Sequence, residues 1–261
     1  MAPEIEVPLN DTSQRKVVRI GRHVHRPTYP WSDTIHVLLR HLEEVGFAFS
    51  PRFRGIDATG REVLGYIEGD AGPAGWSRIV HERGLVNAAM LLRHYHQAVW
   101  RWQPPDHLVW PNGKMGGGDP GDLICHGDFG PWNIVWNGIR PVGLLDWDYA
   151  YPGDAIDDLV YALEYMVPFR DDEECVRNLS FPEPPNRHRR LELFAGTYGM
   201  TEQETRALPD RVIGGQRRML EQVRTLADQG IQPQQSWVRG GYLDVIERRI
   251  RWCEQNLARF K

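Results

Sequence analysis

Three polar side chains, Asp128, Asn133 and Asp146, follow one another at short intervals in the middle of the chain. A carboxylate such as Asp128 can accept a proton from a hydroxyl group. An amide oxygen from Asn133 and a carboxylate from Asp146 are oxygen ligands of the kind that Mg²⁺ prefers. Because metal-dependent phosphoryl transfer uses a base, an amide ligand and a carboxylate ligand in this order, the sequence predicts that chemistry here.

A predicted hairpin would bring these side chains together. Residues 134–136 form a short apolar strand, Asn137-Gly138 is a strong two-residue turn signal, and residues 141–145 form the returning strand. Since the two ends of a hairpin meet, Asn133 and Asp146 are expected to face the same space, with Asp128 in the loop just ahead. His126 is expected to order that loop by hydrogen bonding to nearby backbone.

The segment 126–133 also has the composition of an ordinary surface turn, because Asp, Gly, Pro and Asn all favour turns. The pattern His-x-Asp-x-x-x-x-Asn alone does not decide between the two interpretations. The predicted hairpin, the stretch Leu-Leu-Asp-Trp-Asp at 144–148 and Gly153-Asp154 before a helix favour the functional one.

These motifs resemble those of the aminoglycoside phosphotransferase / choline kinase-like superfamily, a branch of the protein-kinase-like fold. The resemblance is carried by residues 126–133 and 143–147; it is strong over 123–163 and weaker over 17–102. It implies that Asp128 is the catalytic base, that Asn133 and Asp146 bind Mg²⁺, and that ATP or GTP is the donor. It further implies that Asp158 braces the backbone of the catalytic loop.

The order of predicted elements fits an α+β, bilobal protein-kinase-like fold with a small, reduced β-rich N-lobe and a mainly helical C-lobe. Residues 1–15 are expected to form a disordered tail, 16–70 the N-lobe, and 71–261 the C-lobe with the catalytic loop and acceptor site. The N-lobe helix is predicted to start with Ser32 as its N-cap. The final helix is predicted to span 237–260.

The predicted nucleotide end departs from the family pattern. There is no Gly-x-Gly-x-x-Gly before the first helix, and no lysine between Lys16 and Lys114. Arg26 is the predicted replacement for the usual strand lysine, because a guanidinium keeps the charge and offers a bidentate fork to phosphate. Lys16 is the second choice, and a solvated surface arginine is the alternative for Arg26.

An acid on the first helix would normally orient that cation. Glu43 and Glu44 are available but lie late in the helix, and His36 on the apolar stripe fits a core histidine. The stretch Gly65–Gly69 resembles the inter-lobe hinge, which predicts nucleotide binding by Tyr66, Ile67 and Glu68 through their backbone. An ordinary strand end followed by a turn fits the same residues.

Composition restricts the class of protein. A chain of 261 residues with 41% hydrophobic content can bury a core, and a net charge of −4 argues against nucleic acid as the main partner. No run of about 18 apolar residues is present, and the acidic start does not resemble a signal peptide, so no membrane association is expected. Three cysteines without metal-ligand spacing are expected to be reduced thiols in a cytoplasmic protein.

Three other features have compositions that occur in binding sites. His94 and His96 point to different faces of a helix, and the glycine-rich run 116–118 lacks the Lys-Ser/Thr of a phosphate loop. The acidic run 171–174 fits either a solvated helix start or a cation-binding rim over the acceptor site.

The predicted function is transfer of the terminal phosphoryl group of ATP or GTP to a hydroxyl of a small molecule, with an aminoglycoside or other antibiotic as the leading acceptor. The alternative is a nucleotide-binding pseudokinase or immunity-type binding protein without significant turnover. A protein kinase is disfavoured because the stretch 147–153 is too short for an activation segment.

Overall fold

The computed structural model describes residues 5–9 and 16–261. The chain divides into two compact units. The first comprises the residues up to 75 together with 94–128 and 132–155, and the second comprises 76–93, 129–131 and 156–261. Every strand in the described residues lies in the first unit and the second is helical, so the predicted α+β class is confirmed.

The first unit begins with five strands and one helix. They are β1 (Glu6–Pro8), β2 (Val18–Ile20), β3 (His23–Arg26), α1 (Ser32–Glu44), β4 (Phe53–Ile56) and β5 (Glu62–Gly65). The strands form an antiparallel sheet in the order β1-β2-β3-β5-β4. Helix α1 buries Ile35, Leu38, Leu39 and Leu42, whose spacing places them on one helical face.

Two details of this part differ from expectation. Glu6–Pro8 is not part of a disordered tail but pairs with β2, and Glu6 accepts hydrogen bonds from Lys16 and Arg61. The rest of the predicted tail, apart from residues 5 and 9, lies outside the described residues. Ser32 is the first residue of α1 rather than its N-cap, because its hydroxyl accepts a hydrogen bond from the Tyr29 N–H instead of capping the helix.

Two further strand pairs complete the first unit. Strands β6 (Leu123–Cys125) and β9 (Tyr151–Gly153) pair with each other, as do β7 (Ile134–Asn137) and β8 (Arg140–Leu144). The β7–β8 hairpin has the predicted position, but its turn is at Gly138-Ile139, because Asn137 still pairs with Arg140. Gly138 supplies the left-handed backbone that this turn needs, with φ of 60°.

The second unit is built from helices. Gly240 and Gly241 break the helix predicted over 237–260, because Gly241 has a left-handed backbone with φ of 83° that a helix cannot continue. The helices are α2 (Ala74–Val80), α3 (Glu82–Val99), α4 (Ala155–Met166), α5 (Asp172–Asn178), α6 (Arg187–Tyr198), α7 (Glu202–Asp228), α8 (Gln234–Arg239) and α9 (Tyr242–Gln255), the ends of α2, α3 and α4 extending into the first unit.

Buried Arg190 joins two helix ends in the second unit. Its guanidinium donates to the carbonyls of Ile79 and Val80 at the end of α2 and of Met166 at the end of α4. Helix C-terminal carbonyls lack intrahelical partners and favour a cation. Burial lowers the pKa of Arg190 to about 10, so the side chain stays charged at neutral pH.

The acidic run 171–174 is neutralised within its own unit. Asp171 caps α5, its carboxylate accepting the Glu174 N–H at 2.7 Å. Asp172 accepts hydrogen bonds from Arg187 and Arg259, and Glu174 from Arg170 and Arg249. Because these carboxylates are bonded to arginines, the geometry disfavours a cation-binding rim and favours a helix start held by ion pairs.

The three cysteines are buried, and no disulfide forms among the described residues. Burial raises the pKa of the Cys175 thiol to about 11 and that of Cys253 to about 12, so both remain neutral thiols near pH 7. Across residues 5–9 and 16–261, no helix combines the length and apolar character that a membrane crossing requires.

Candidate active site

The loop after β6 is shaped by Gly127. Its φ is 78°, and a Cβ at this position would lie 2.1 Å from the carbonyl oxygen of Tyr149. Any other residue would therefore be strained and would also collide with backbone. The close approach sets the path of the chain into Asp128.

His126 holds this loop in place through hydrogen bonds to backbone. The ring is fully buried, and its Nδ1 accepts the Asp128 N–H at 3.2 Å. Nε2 must then carry the proton, which it donates to the Leu145 carbonyl at 3.0 Å. Trp147 packs against the same ring at 4.7 Å between centroids. One neutral imidazole therefore ties the Asp128 loop to the residue before Asp146.

Asn133 orients Asp128. Its Nδ2 donates to the Asp128 carboxylate at 2.7 Å and to the Asp128 carbonyl at 2.9 Å. With both bonds made by the amide nitrogen, Oδ1 is the atom through which Asn133 can bind a cation. The Asn133 carbonyl accepts the Leu145 N–H at 2.7 Å, so the hairpin ends meet as predicted.

Asp146 follows β8 in a left-handed conformation with φ of 59°. Aspartate tolerates this region better than most residues, and such strain is typical of functional positions. Its side chain is 35% exposed, whereas Asn133 is nearly buried at 7%. One amide oxygen and one carboxylate are hard donors, and this donor set fits Mg²⁺ with further oxygens from water or phosphate.

Arg26, at the end of β3, is buried rather than solvated. Its Nε donates to Glu62 at 2.7 Å, and its two Nη atoms each donate to Asp148 at 3.1 Å. Nη1 also lies 3.9 Å from Oδ1 of Asp146. Within the described residues, these three bonds use three of the five guanidinium hydrogens.

The acid that orients Arg26 comes from a strand and not from α1. Glu62 stands directly opposite Arg26 in the β3–β5 ladder, whereas Glu43 lies near Arg52 and Arg54 on the surface. The sequence showed Glu62 only as the first residue of a strand. Its role depends on the register between two strands, for which the sequence carries no signal.

His36 is buried in α1 but is not simply a core residue, since its Nε2 lies 2.8 Å from the Glu62 carboxylate. Lys16 is the second choice for the side chain that replaces the phosphate-binding lysine. It is 70% exposed and pairs with Glu6 at 3.0 Å. Asp148 was not predicted as a site residue, although it stands in the same Leu-Leu-Asp-Trp-Asp stretch as Asp146.

The predicted hinge residues follow the end of β5. The Tyr66 N–H donates to the Arg22 carbonyl at 2.9 Å. The Arg19 guanidinium lies 3.8 Å from the centre of the Tyr66 ring and pairs with Glu68 at 2.6 Å, so one side chain contacts both Tyr66 and Glu68. Ile67 packs on Gly143 of β8. Contact of these residues with a donor base stays a prediction.

Asp158 lies in the first turn of α4, within the second unit, and is fully buried. Its predicted role in bracing the catalytic loop stays a prediction.

Comparison with known proteins gives a consistent picture. The model of the phosphotransferase enzyme family (APH) matches residues 70–193, which include Asp128, Asn133 and Asp146. The trifolitoxin immunity protein of Rhizobium leguminosarum bv. trifolii is 34% identical over 214 residues, covering 80% of this chain and 79% of that protein.

Solved structures share the fold at low identity. The GDP complex of aminoglycoside 2'-phosphotransferase-IIIa is 14% identical with a TM-score of 0.59, and covers 96% of this chain and 93% of its own. An amicoumacin kinase in complex with AMP-PNP, Ca²⁺ and Ami is 12% identical with a TM-score of 0.59, covering 96% and 88%. A choline/ethanolamine kinase family protein from Mesorhizobium loti is 15% identical with a TM-score of 0.54, covering 97% and 93%.

The family match includes Asp128, Asn133 and Asp146, and the trifolitoxin immunity protein aligns with this chain over most of the length of each. This chain therefore belongs to the phosphotransferase enzyme family, within the aminoglycoside phosphotransferase / choline kinase-like superfamily.

Proposed function

We propose that this protein transfers the terminal phosphoryl group of ATP or GTP to a hydroxyl group of a small molecule. The observation that carries the proposal is the contact between Asp128 and Asn133, made where the chain returns to Asp146. Family membership supports the same reaction type.

Asp128 acts as the base. Its carboxylate accepts the proton of the acceptor hydroxyl, whose oxygen forms the new bond to the terminal phosphorus as the bond to the diphosphate oxygen breaks. The products are a phosphorylated acceptor and a nucleoside diphosphate. The hydrogen bond from Asn133 Nδ2 holds the carboxylate in one orientation, so its proton-accepting oxygen is placed before the acceptor arrives.

Asn133 Oδ1 and Asp146 are the residues that would hold Mg²⁺, which offsets the negative charge of the donor phosphates when it is bound. Arg26 supplies a fixed positive charge close to Asp146. We assign donor binding to Arg26 and to the backbone of Tyr66, Ile67 and Glu68. Three buried cysteines without a disulfide agree with action in the cytoplasm, where thiols stay reduced.

We propose a hydroxylated antibiotic as the acceptor. The names of similar proteins support this proposal. A relative that is 34% identical is an immunity protein, and two proteins of the same fold are an aminoglycoside phosphotransferase and an amicoumacin kinase. The acidic run 171–174 gives no support, because Asp172 and Glu174 are bonded to arginines.

A second candidate is an immunity-type protein that binds nucleotide and a toxic ligand without significant turnover. The relative's name favours it. The predicted Asp128, Asn133 and Asp146 set favours an enzyme, because binding alone does not need a base.

The test is a screen for nucleoside diphosphate formation from ATP and from GTP, with Mg²⁺, against a panel of hydroxylated antibiotics and metabolites. Phosphorus NMR of each positive reaction identifies the product. We expect a phosphate ester whose formation requires both acceptor and Mg²⁺. Tight acceptor binding by calorimetry with no ester formed would support the binding protein instead.

A further inference from the structure

A continuous chain of four buried side chains runs from α1 to the residue two after Asp146. His36 Nε2 lies 2.8 Å from Oε2 of Glu62, and Oε1 of Glu62 accepts from Arg26 at 2.7 Å. Arg26 then donates twice to Asp148. All four are at least nine-tenths buried, with exposures of 5% for His36, 0% for Glu62, 8% for Arg26 and 7% for Asp148. We call these four residues the buried polar chain.

Each link restricts the next one. Glu62 uses one oxygen for His36 and the other for Arg26, so its carboxylate cannot rotate without breaking a bond. Phe53 stacks on the His36 ring at 3.7 Å between centroids, which holds the imidazole in place. A guanidinium bonded at Nε and at both Nη atoms has one orientation, unlike a lysine on a flexible stem.

The buried polar chain ends beside Asp146. Arg26 is bonded to the carboxylates of Glu62 and Asp148, and its Nη1 lies 3.9 Å from Oδ1 of Asp146. A donor that arrives with a metal ion at Asp146 would therefore meet Arg26 at the same place.

We propose that His36, Glu62 and Asp148 are positioning residues for the donor: they fix Arg26 and tie it, through Asp148, to the segment that carries Asp146. Arg26 and the metal ligand are then held as one unit, and the Nη1 edge of the guanidinium, beside Asp146, meets the donor phosphates. This inference rests on the proposed function.

Calorimetric titration of the full chain with ATP plus Mg²⁺ tests the proposal. His36→Leu removes the donor to Glu62 at similar volume, His36→Gln restores an N–H donor, and Asp148→Asn removes charge at constant shape. The matched control is His25→Leu. His25 precedes Arg26 in the sequence and makes the same kind of bond, to the Asp57 carboxylate at 2.8 Å, but it is not part of the buried polar chain. Thermal melting of each variant checks folding.

We expect His36→Leu and Asp148→Asn each to raise the Kd for Mg-ATP by about fivefold or more, the size of one lost hydrogen bond. His36→Gln should recover most of the affinity, and His25→Leu should bind as the parent does. A purely structural role would lower melting temperatures but not separate the two histidines in Kd.

Binding within about twofold of the parent by both His36→Leu and Asp148→Asn would overturn the inference and leave the proposed function standing. If His36→Leu does not fold, Asp148→Asn and His36→Gln decide: parent-like binding by Asp148→Asn overturns the proposal. Failure of the parent itself to bind Mg-ATP would overturn the proposed function together with this inference.

Discussion

Arg26 in the first unit and Arg190 in the second are both buried, yet they have different partners. Arg26 is bonded to two carboxylates and has a third, Asp146, within 3.9 Å. Arg190 is bonded to backbone carbonyls at two helix ends. The carbonyl-bound arginine joins helices, and its charge is matched by the helix dipoles. The carboxylate-bound arginine is instead fixed beside Asp146, a predicted metal ligand.

The same contrast separates the acids. Asp172 and Glu174, the conspicuous acidic run in the sequence, are fully engaged by arginines of the second unit. Asp128 and Asp146, 18 residues apart in the sequence, are both linked to Asn133 at the start of one hairpin, Asp128 directly and Asp146 through its neighbour Leu145. Charge in a sequence therefore says little about a site until its pairing is known.

The largest effect is expected at Asp128. Asp128→Asn keeps the shape of the side chain but removes the proton acceptor, so kcat should fall by ~10²–10⁴-fold with nucleotide affinity nearly unchanged. Steady-state kinetics with an accepted substrate measure it. Asp172→Asn is the control from the other acidic region and should keep kcat. Full kcat in Asp128→Asn would remove Asp128 from its role.

The next largest effect is expected on stability. Arg190→Met leaves buried helix-end carbonyls without their donor, so the free energy of unfolding should fall by about 3 kcal/mol. Arg189→Met, at the neighbouring exposed ion pair with Glu82, should change it far less, because solvent screens an exposed pair. Urea denaturation compares the two, and equal losses would show that the carbonyl bonds of Arg190 contribute no more than an exposed ion pair.

A smaller effect is expected on donor affinity. Arg26→Ala should raise the donor KM by about tenfold, and Arg26→Lys should recover only part, since an ammonium cannot reproduce the three directed bonds that hold the guanidinium on Glu62 and Asp148. Lys16→Ala should leave KM unchanged, because Lys16 is paired on the surface with Glu6. A large effect of Lys16→Ala with none from Arg26→Ala would transfer the role to Lys16.

The smallest effect concerns pH. Burial acts to raise the pKa of Asp172, but hydrogen bonds from Arg259 and Arg187 outweigh it and lower the pKa below its ordinary value of 3.8. Its stabilisation is therefore present above about pH 4 and is lost as pH falls through the lowered pKa. Because the side chain is partly exposed, we expect only about 1 kcal/mol. Asp172→Asn should flatten this acid loss in urea denaturation at several pH values; an unchanged pH profile would show that Asp172 does not contribute.

The sequence predicted the parts of the fold whose signals are local. The hairpin 134–144, the helix from Ser32 and the convergence of Asn133 with Asp146 follow from apolar periodicity and turn residues. Strand β1 was missed because three exposed residues carry no apolar pattern. Glu62 was missed because its partner Arg26 is 36 residues away, and only the register between strands brings them together.

Calorimetric titration with ATP, in the presence and absence of Mg²⁺, tests most directly whether Asp146 makes this a metal-dependent phosphotransferase site. The parent should bind ATP more tightly with Mg²⁺, and Asp146→Asn should lose about tenfold or more of that gain, because it removes the charged ligand. Asp172→Asn, the matched loss of one carboxylate, should keep the gain. An Asp146→Asn variant that gains as much affinity from Mg²⁺ as the parent would contradict the assignment.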